Sequence, residues 1–198
     1  MRCRAAAVLL AALPGLAAAE PPGPMAVTRK ALERSHAIVT ASTAHKQKVN
    51  ALHAVLRDFL DTDAMGRQAM GRHLEGRSEA DVRAFLDVFA ELFVRTYVQR
   101  LLLFQAPDFG YRGEKVEGDR ATVQTEIITP KDRFGVDYKM RKSAPGWRAT
   151  DILVEGASLG DNFRSQFDAA LARESFDSLM ERLRKRVDTQ KGAEGSSP

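Results

Sequence analysis

Four histidines, His36, His45, His53 and His73, are the first places to look for metal or proton chemistry in this chain. None falls in an H-E-x-x-H or related spacing that would bring two imidazoles to one metal ion. All four are therefore expected on the surface or on helix flanks. Two carboxylate arrangements come next: Asp137 beside Tyr138, and Asp151 with Glu155. A carboxylate and a phenol facing one cavity can share acid–base work, as they do in isomerases built on cone-shaped folds. Strand alternation, however, turns Asp137 outward and away from Tyr138. Asp151 is expected to bond backbone or a basic neighbour such as Arg148. There is no P-loop, no G-x-G-x-x-G and no G-x-S-x-G elbow. Gly71, Gly76 and Gly110 are scattered without a strand-to-helix context. No catalytic residue, metal ligand or cofactor is expected.

The start of the chain reads as an address. Arg2 and Arg4 precede an apolar run from Ala5 to Leu16. Ala17-Ala18-Ala19 then offers the small residues of a cleavage site before Glu20 and the prolines Pro21, Pro22 and Pro24. The run is too short to span a hydrocarbon core of about 30 Å, so residues 1–19 are expected to be a signal peptide and the mature protein soluble and periplasmic. Its removal takes away Cys3, the only cysteine, and with it any disulfide or thiol chemistry. The remaining 179 residues (198 less 19) suit one domain with a sizeable core. Without Arg2 and Arg4, 28 basic side chains face 26 acidic ones. That balance argues against nucleic acid as a partner. Basic side chains gather at Lys131, Arg133, Lys139, Arg141, Lys142 and Arg148, and again at Arg182, Arg184, Lys185 and Arg186. They read either as solvated faces or as a patch for acidic partners or lipid phosphates.

Residues 20–44 are assigned to a linker and a first helix, 45–188 to one domain, and 189–198 to a disordered polar tail. Val49, Leu52, Val55, Leu56 and Phe59 recur at helical spacing. Asp61 or Asp63 can cap a helix carrying Met65, Met70 and Leu74. Ser78-Glu79-Ala80-Asp81 opens a long helix whose stripe runs Val82, Phe85, Phe89, Leu92, Phe93, Tyr97, Leu101 and Phe104, with Asp87, Glu91 and Arg95 opposite. The period then falls to two. Val123, Thr125 and Ile127, and Val136, Tyr138 and Met140, alternate with polar neighbours. Phe109 to Glu117 and Trp147 to Glu155 supply two further strands, and turn-like segments make the four an antiparallel meander. After Ser158-Leu159-Gly160-Asp161 the helical period returns through Phe163 and Phe167, then Phe176, Leu179, Met180, Leu183 and Val187. The fold class is α+β: a curved antiparallel sheet of about four strands with N- and C-terminal helices on one face, cone-like and similar to NTF2-like folds.

Several segments, in this order and spacing, carry a resemblance: Ala121 to Ile127, Val136 to Lys142, Trp147, Asp151 to Leu159, Asn162 to Phe167, and Leu179 with Leu183. Upstream, Phe85, Phe89, Leu92 and Arg95-Thr96-Tyr97 are similar to a long central helix. Over roughly residues 45–188 the chain resembles the MlaC family, which includes the toluene-tolerance proteins. Residues 20–44 match its pattern poorly, and His73 stands where an aromatic residue is common.

The resemblance implies a non-enzymatic periplasmic carrier that moves phospholipid between the two membranes and maintains outer-membrane lipid asymmetry. Its implied partners are a phospholipid ligand, an outer-membrane lipoprotein–porin complex, and an inner-membrane ABC transporter complex with a hexameric ring subunit; a monomer is expected. A hopanoid-associated carrier of the same family is the nearest alternative, and a small cone-fold isomerase-like enzyme the alternative of another class. The residues expected to line a lipid slot are Met65, Phe89, Phe93, Tyr97, Val123, Thr125, Ile127, Val136, Tyr138, Met140, Ile152, Val154, Phe163 and Phe167. The same stripes equally suit a closed core, and the sequence leaves both open at each of these positions.

Overall fold

The computed structural model describes residues 21–103 and 107–196. The signal-peptide assignment and Phe104 lie outside them. Helix α1 (Pro24–Thr40) has Pro24 in its first turn, where a missing N–H costs nothing, and buries Thr28, Ala31, Leu32 and Ser35 at spacings of three and four. Helix α2 (His45–Phe59) buries Val49, Leu52, Val55 and Phe59. The Asp61 carboxylate accepts from the Ala64 amide at 3.0 Å and so caps α3 (Thr62–Met70). A 3₁₀ turn at Gly71–Leu74 follows. Ser78 Oγ accepts from the Asp81 amide at 3.1 Å and donates to Asp81 Oδ2 at 2.7 Å, fixing the start of α4 (Glu79–Leu103). Among the described residues no helix is long and apolar enough to cross a membrane.

Strands β1 (Asp108–Glu117), β2 (Arg120–Ile128), β3 (Arg133–Ser143), β4 (Gly146–Val154) and β5 (Ala157–Ser158) form one antiparallel sheet in sequence order. The four expected strands are present and β5 adds two residues at the edge. Val123 lies opposite Tyr138, and Thr125 opposite Val136. On β4 the register slips: Met140 pairs with Ala149 but Lys139 with Asp151, which leaves Thr150 as the extra residue of a bulge. Trp147 and Ala149 below the bulge, and Ile152 and Val154 above it, therefore all turn toward the helices. Strict alternation would have sent one of these pairs outward.

Helices α1, α2, α3 and α5 (Leu159–Leu171) touch the sheet; α4 packs behind them on α2, α3 and α6 (Phe176–Ser196). Ser158 Oγ caps α5 by accepting from the Asp161 amide at 3.0 Å. The expected disordered tail from 189 is instead a continuation of α6 to Ser196. Gln190 Nε2 donates to Thr96 Oγ1 at 3.0 Å, and Glu194 accepts from Arg95. These partners on α4 give the polar end of α6 a reason to stay helical. Glu91 and Arg95, on the stripe opposite the apolar one, are for the same reason roofed by α6.

Candidate functional site

An apolar cavity of about 310 Å³ opens between the curved sheet and the helices. One water needs about 15 Å³ of such space, so the void holds far more than solvent bridging polar groups. Its walls come from every layer of the fold. Helix α1 contributes Ala31, Leu32 and Ser35; α2 and the residue after it, Leu56, Phe59 and Leu60; α4, Tyr97, Arg100 and Leu101. The sheet contributes Ile127, then Phe134, Val136 and Tyr138, then Ile152 and Val154. Leu32, Phe59, Leu60 and Val136 are buried and close the deep end. Arg100 and Val154 are exposed and mark the mouth.

What little polarity lies in the wall is mostly consumed. Ser35 Oγ donates to the Ala31 carbonyl at 2.9 Å inside its own helix. The Tyr138 ring meets Phe59 edge-on at 5.2 Å between centroids. Burial raises its hydroxyl pKa well above the ordinary phenol value, with Tyr111 adding to the rise, so it stays neutral. Tyr97 is likewise raised by burial, and the neighbouring Arg100 guanidinium opposes the shift. Among the described residues, no carboxylate and no imidazole lines the cavity.

Of the expected slot residues, Tyr97, Ile127, Val136, Tyr138, Ile152 and Val154 stand in this wall. The other eight sit where the fold is filled. Phe163 and Phe167 of α5 close on α4, with Phe163 at 5.5 Å from Phe89 and 5.8 Å from Phe93, and Phe167 at 5.7 Å from Phe85. Rings from two helices thus occupy the space that Phe89 and Phe93 would otherwise have lined. Met65 and Val123 are buried in the same core. Thr125 Oγ1 donates to the Val136 carbonyl at 2.7 Å, and Met140 sulfur accepts from Thr28 Oγ1 at 3.3 Å. Sequence reasoning missed the α1 wall, Leu60, Phe134 and Arg100, and it placed Leu56, Phe59 and Leu101 on helix stripes without assigning them to the slot. The spacing of Thr28, Ala31, Leu32 and Ser35 was the available signal for α1.

The acid–base candidates do not meet. Asp137 borders a polar hollow on the outer sheet face with Arg112, Gln124, Arg133 and Glu155, on the side away from Tyr138. Asp151 is buried and fully engaged: it accepts from the amides of Ile152 at 2.9 Å and Gly160 at 3.1 Å, and from Ser158 Oγ at 2.7 Å. Arg148 donates elsewhere, to the carbonyls of Arg57 (2.7 Å) and Leu60. His73 Nε2 lies 2.6 Å from Asp168 Oδ1 and joins the 3₁₀ turn to α5. His53 is enclosed between helices, 3.6 Å from Glu194 Oε1. Among the described residues no three His, Cys, Asp or Glu side chains are placed to share a metal ion.

A family model described as MlaC protein matches residues 28–185, which reaches back through most of α1. A solved structure of a phospholipid-binding protein from Ralstonia solanacearum, in complex with a phospholipid, has the same fold: TM-score 0.73 at 22% identity, over 84% of this chain and 98% of that one.

Proposed function

Since the chain belongs to the MlaC family, we propose that it is a carrier that holds the acyl tails of a phospholipid in the cavity between sheet and helices. The observation that carries this reading is the void itself: apolar, walled by four layers of side chains and open where Val154 and Arg100 reach solvent. Exposing hydrocarbon costs about 0.8 kcal/mol per CH₂, so two ordinary tails cost on the order of 20 kcal/mol in water. A carrier has to offer a dry slot of comparable attraction, and the aliphatic and aromatic side chains of the wall supply it. The lining contains no acid–base pair, which favours transport over catalysis. The ligand reading is strengthened by the phospholipid in the Ralstonia solanacearum protein.

The finer role follows from the family. The chain works in the periplasm after losing residues 1–19, and it moves phospholipid between an outer-membrane lipoprotein–porin complex and an inner-membrane ABC transporter with a hexameric ring. Native mass spectrometry of protein purified gently from cells tests the core of this. A bound phospholipid is expected; apo protein alone would overturn the reading. Val136→Arg and Tyr138→Asp, both in the wall, are expected to abolish lipid retention while far-UV circular dichroism keeps its helical and strand signals.

A further inference from the structure

Among the described residues one charged side chain, Arg100, stands in the wall of the apolar cavity, and it stands at the mouth. Arg100 lies in the last turn of α4, three residues after Tyr97 and one before Leu101, both of which line the void. Its guanidinium carbon is 5.1 Å from the centroid of the Tyr97 ring, a cation–π position. Tyr97 is itself stacked on Phe93 at 4.4 Å, so the platform beneath the guanidinium is anchored in the filled core.

Other arginines of these helices and strands are spoken for. Arg95 is paired with Glu91 and Glu194, Arg57 with Glu91, and Arg133 with Glu126. Among the described residues, no carboxylate lies within ion-pair distance of Arg100. An arginine held over a ring at a cavity mouth, with its donors unclaimed by protein, is suited to an anion that arrives with the ligand. Its planar fork matches the geometry of a phosphate better than a lysine would.

We propose that Arg100 reads the phosphate of the bound lipid, making the cavity selective for phosphate-bearing lipids over uncharged lipids with the same tails. This rests on the cavity being a lipid site. With tails seated against Leu32, Phe59 and Val136 at the deep end, the polar end of a glycerolipid emerges beside Tyr97 and Arg100. A diester phosphate there accepts one or two guanidinium N–H bonds, in a place partly shielded by the Tyr97 ring. A diacylglycerol brings only ester carbonyls and a hydroxyl, and a hopanoid hydrocarbon not even those, so seating either leaves the cation without an opposite charge.

The test uses delipidated mature protein and competitive binding of three probes with identical tails: dioleoyl phosphatidylglycerol, dioleoyl phosphatidylethanolamine and dioleoylglycerol. Wild type is expected to take either phospholipid about tenfold more tightly than dioleoylglycerol, the value of one charge-assisted hydrogen bond. In Arg100→Gln that ratio is expected to collapse to within about twofold, and in Arg100→Lys to recover in part. Raising ionic strength should shrink the wild-type ratio and leave that of Arg100→Gln unmoved. Circular dichroism confirms that the variants are folded. A tenfold preference that survives in Arg100→Gln overturns the proposal, as does a wild type without preference. Inorganic phosphate that competes with phosphatidylglycerol at equal concentration would also overturn it, since the site would then read free anion rather than a tethered headgroup. If none of the three lipids binds either protein, the cavity reading itself fails and Arg100 loses its role with it.

Discussion

Phe89 touches the rings of Phe85, Phe93, Phe163 and Phe167, with centroids 5.5 to 6.4 Å apart. Helical spacing alone could assign it to a slot or to a core, because the deciding partners lie on α5, some 75 residues later in the chain. The contacts make it a keystone of the filled region. Phe89→Ala is expected to cost about 3–5 kcal/mol in urea unfolding, whereas lipid capacity per folded molecule stays near that of wild type. Asp151 gives a second case. The sequence pointed to backbone bonds, and the carboxylate does hold two amides and a hydroxyl at the junction of β4 and α5, with Lys139 rather than Arg148 as its nearest cation at 3.8 Å. Asp151→Ala strands those three donors in a buried place. A loss of about 2–4 kcal/mol in unfolding free energy is expected. A variant with wild-type stability would show that the carboxylate is not an anchor.

Helix boundaries and the strand meander were legible because capping serines and two-residue alternation are local signals. Register was not. The extra residue Thr150 reverses the facing of β4, and it is this reversal that brings Ile152 opposite Tyr138 and Val154 opposite Val136 in the cavity wall. The length of α6 was equally hidden, since a polar tail with two Gly and two Ser looks disordered until Arg95 and Thr96 are seen beneath it. The seam between α2, α4 and α6 also has a pH signature. His53 is held below its ordinary pKa by burial, against the pull of Glu194 from α6 and with Arg95 of α4 and Arg57 of α2 adding to the depression. The unfolded chain binds a proton at His53 near pH 6.5, while the folded protein resists it. Stability from this seam is therefore full above about pH 6.5 and declines as pH falls through that value toward the lowered folded pKa. Histidine NMR should place the His53 midpoint below 6.5, and His53→Gln should flatten the loss of urea stability between about pH 7 and pH 5. A midpoint at or above 6.5 would refute this account of the seam.

A fold that keeps a void of about 310 Å³ inside itself gives up packing contacts that a closed core would have made. The empty protein should accordingly be the less stable form. Phospholipid at a hundred times its dissociation constant is expected to raise unfolding free energy by about 2.7 kcal/mol, visible as a higher melting temperature of loaded over delipidated protein. Equal melting temperatures across such a titration would mean that no ligand enters. Strand β1 leaves the other side of the sheet with a free edge, and free edges invite neighbours to add a strand. Here the register slips between Tyr111 and Gly113, and Arg112, Glu114, Lys115 and Glu117 follow one another along the border. A strand arriving from a second molecule would meet a kink first and alternating charge next. The border of β1 is thus poorly shaped to accept a strand from a second copy of the chain.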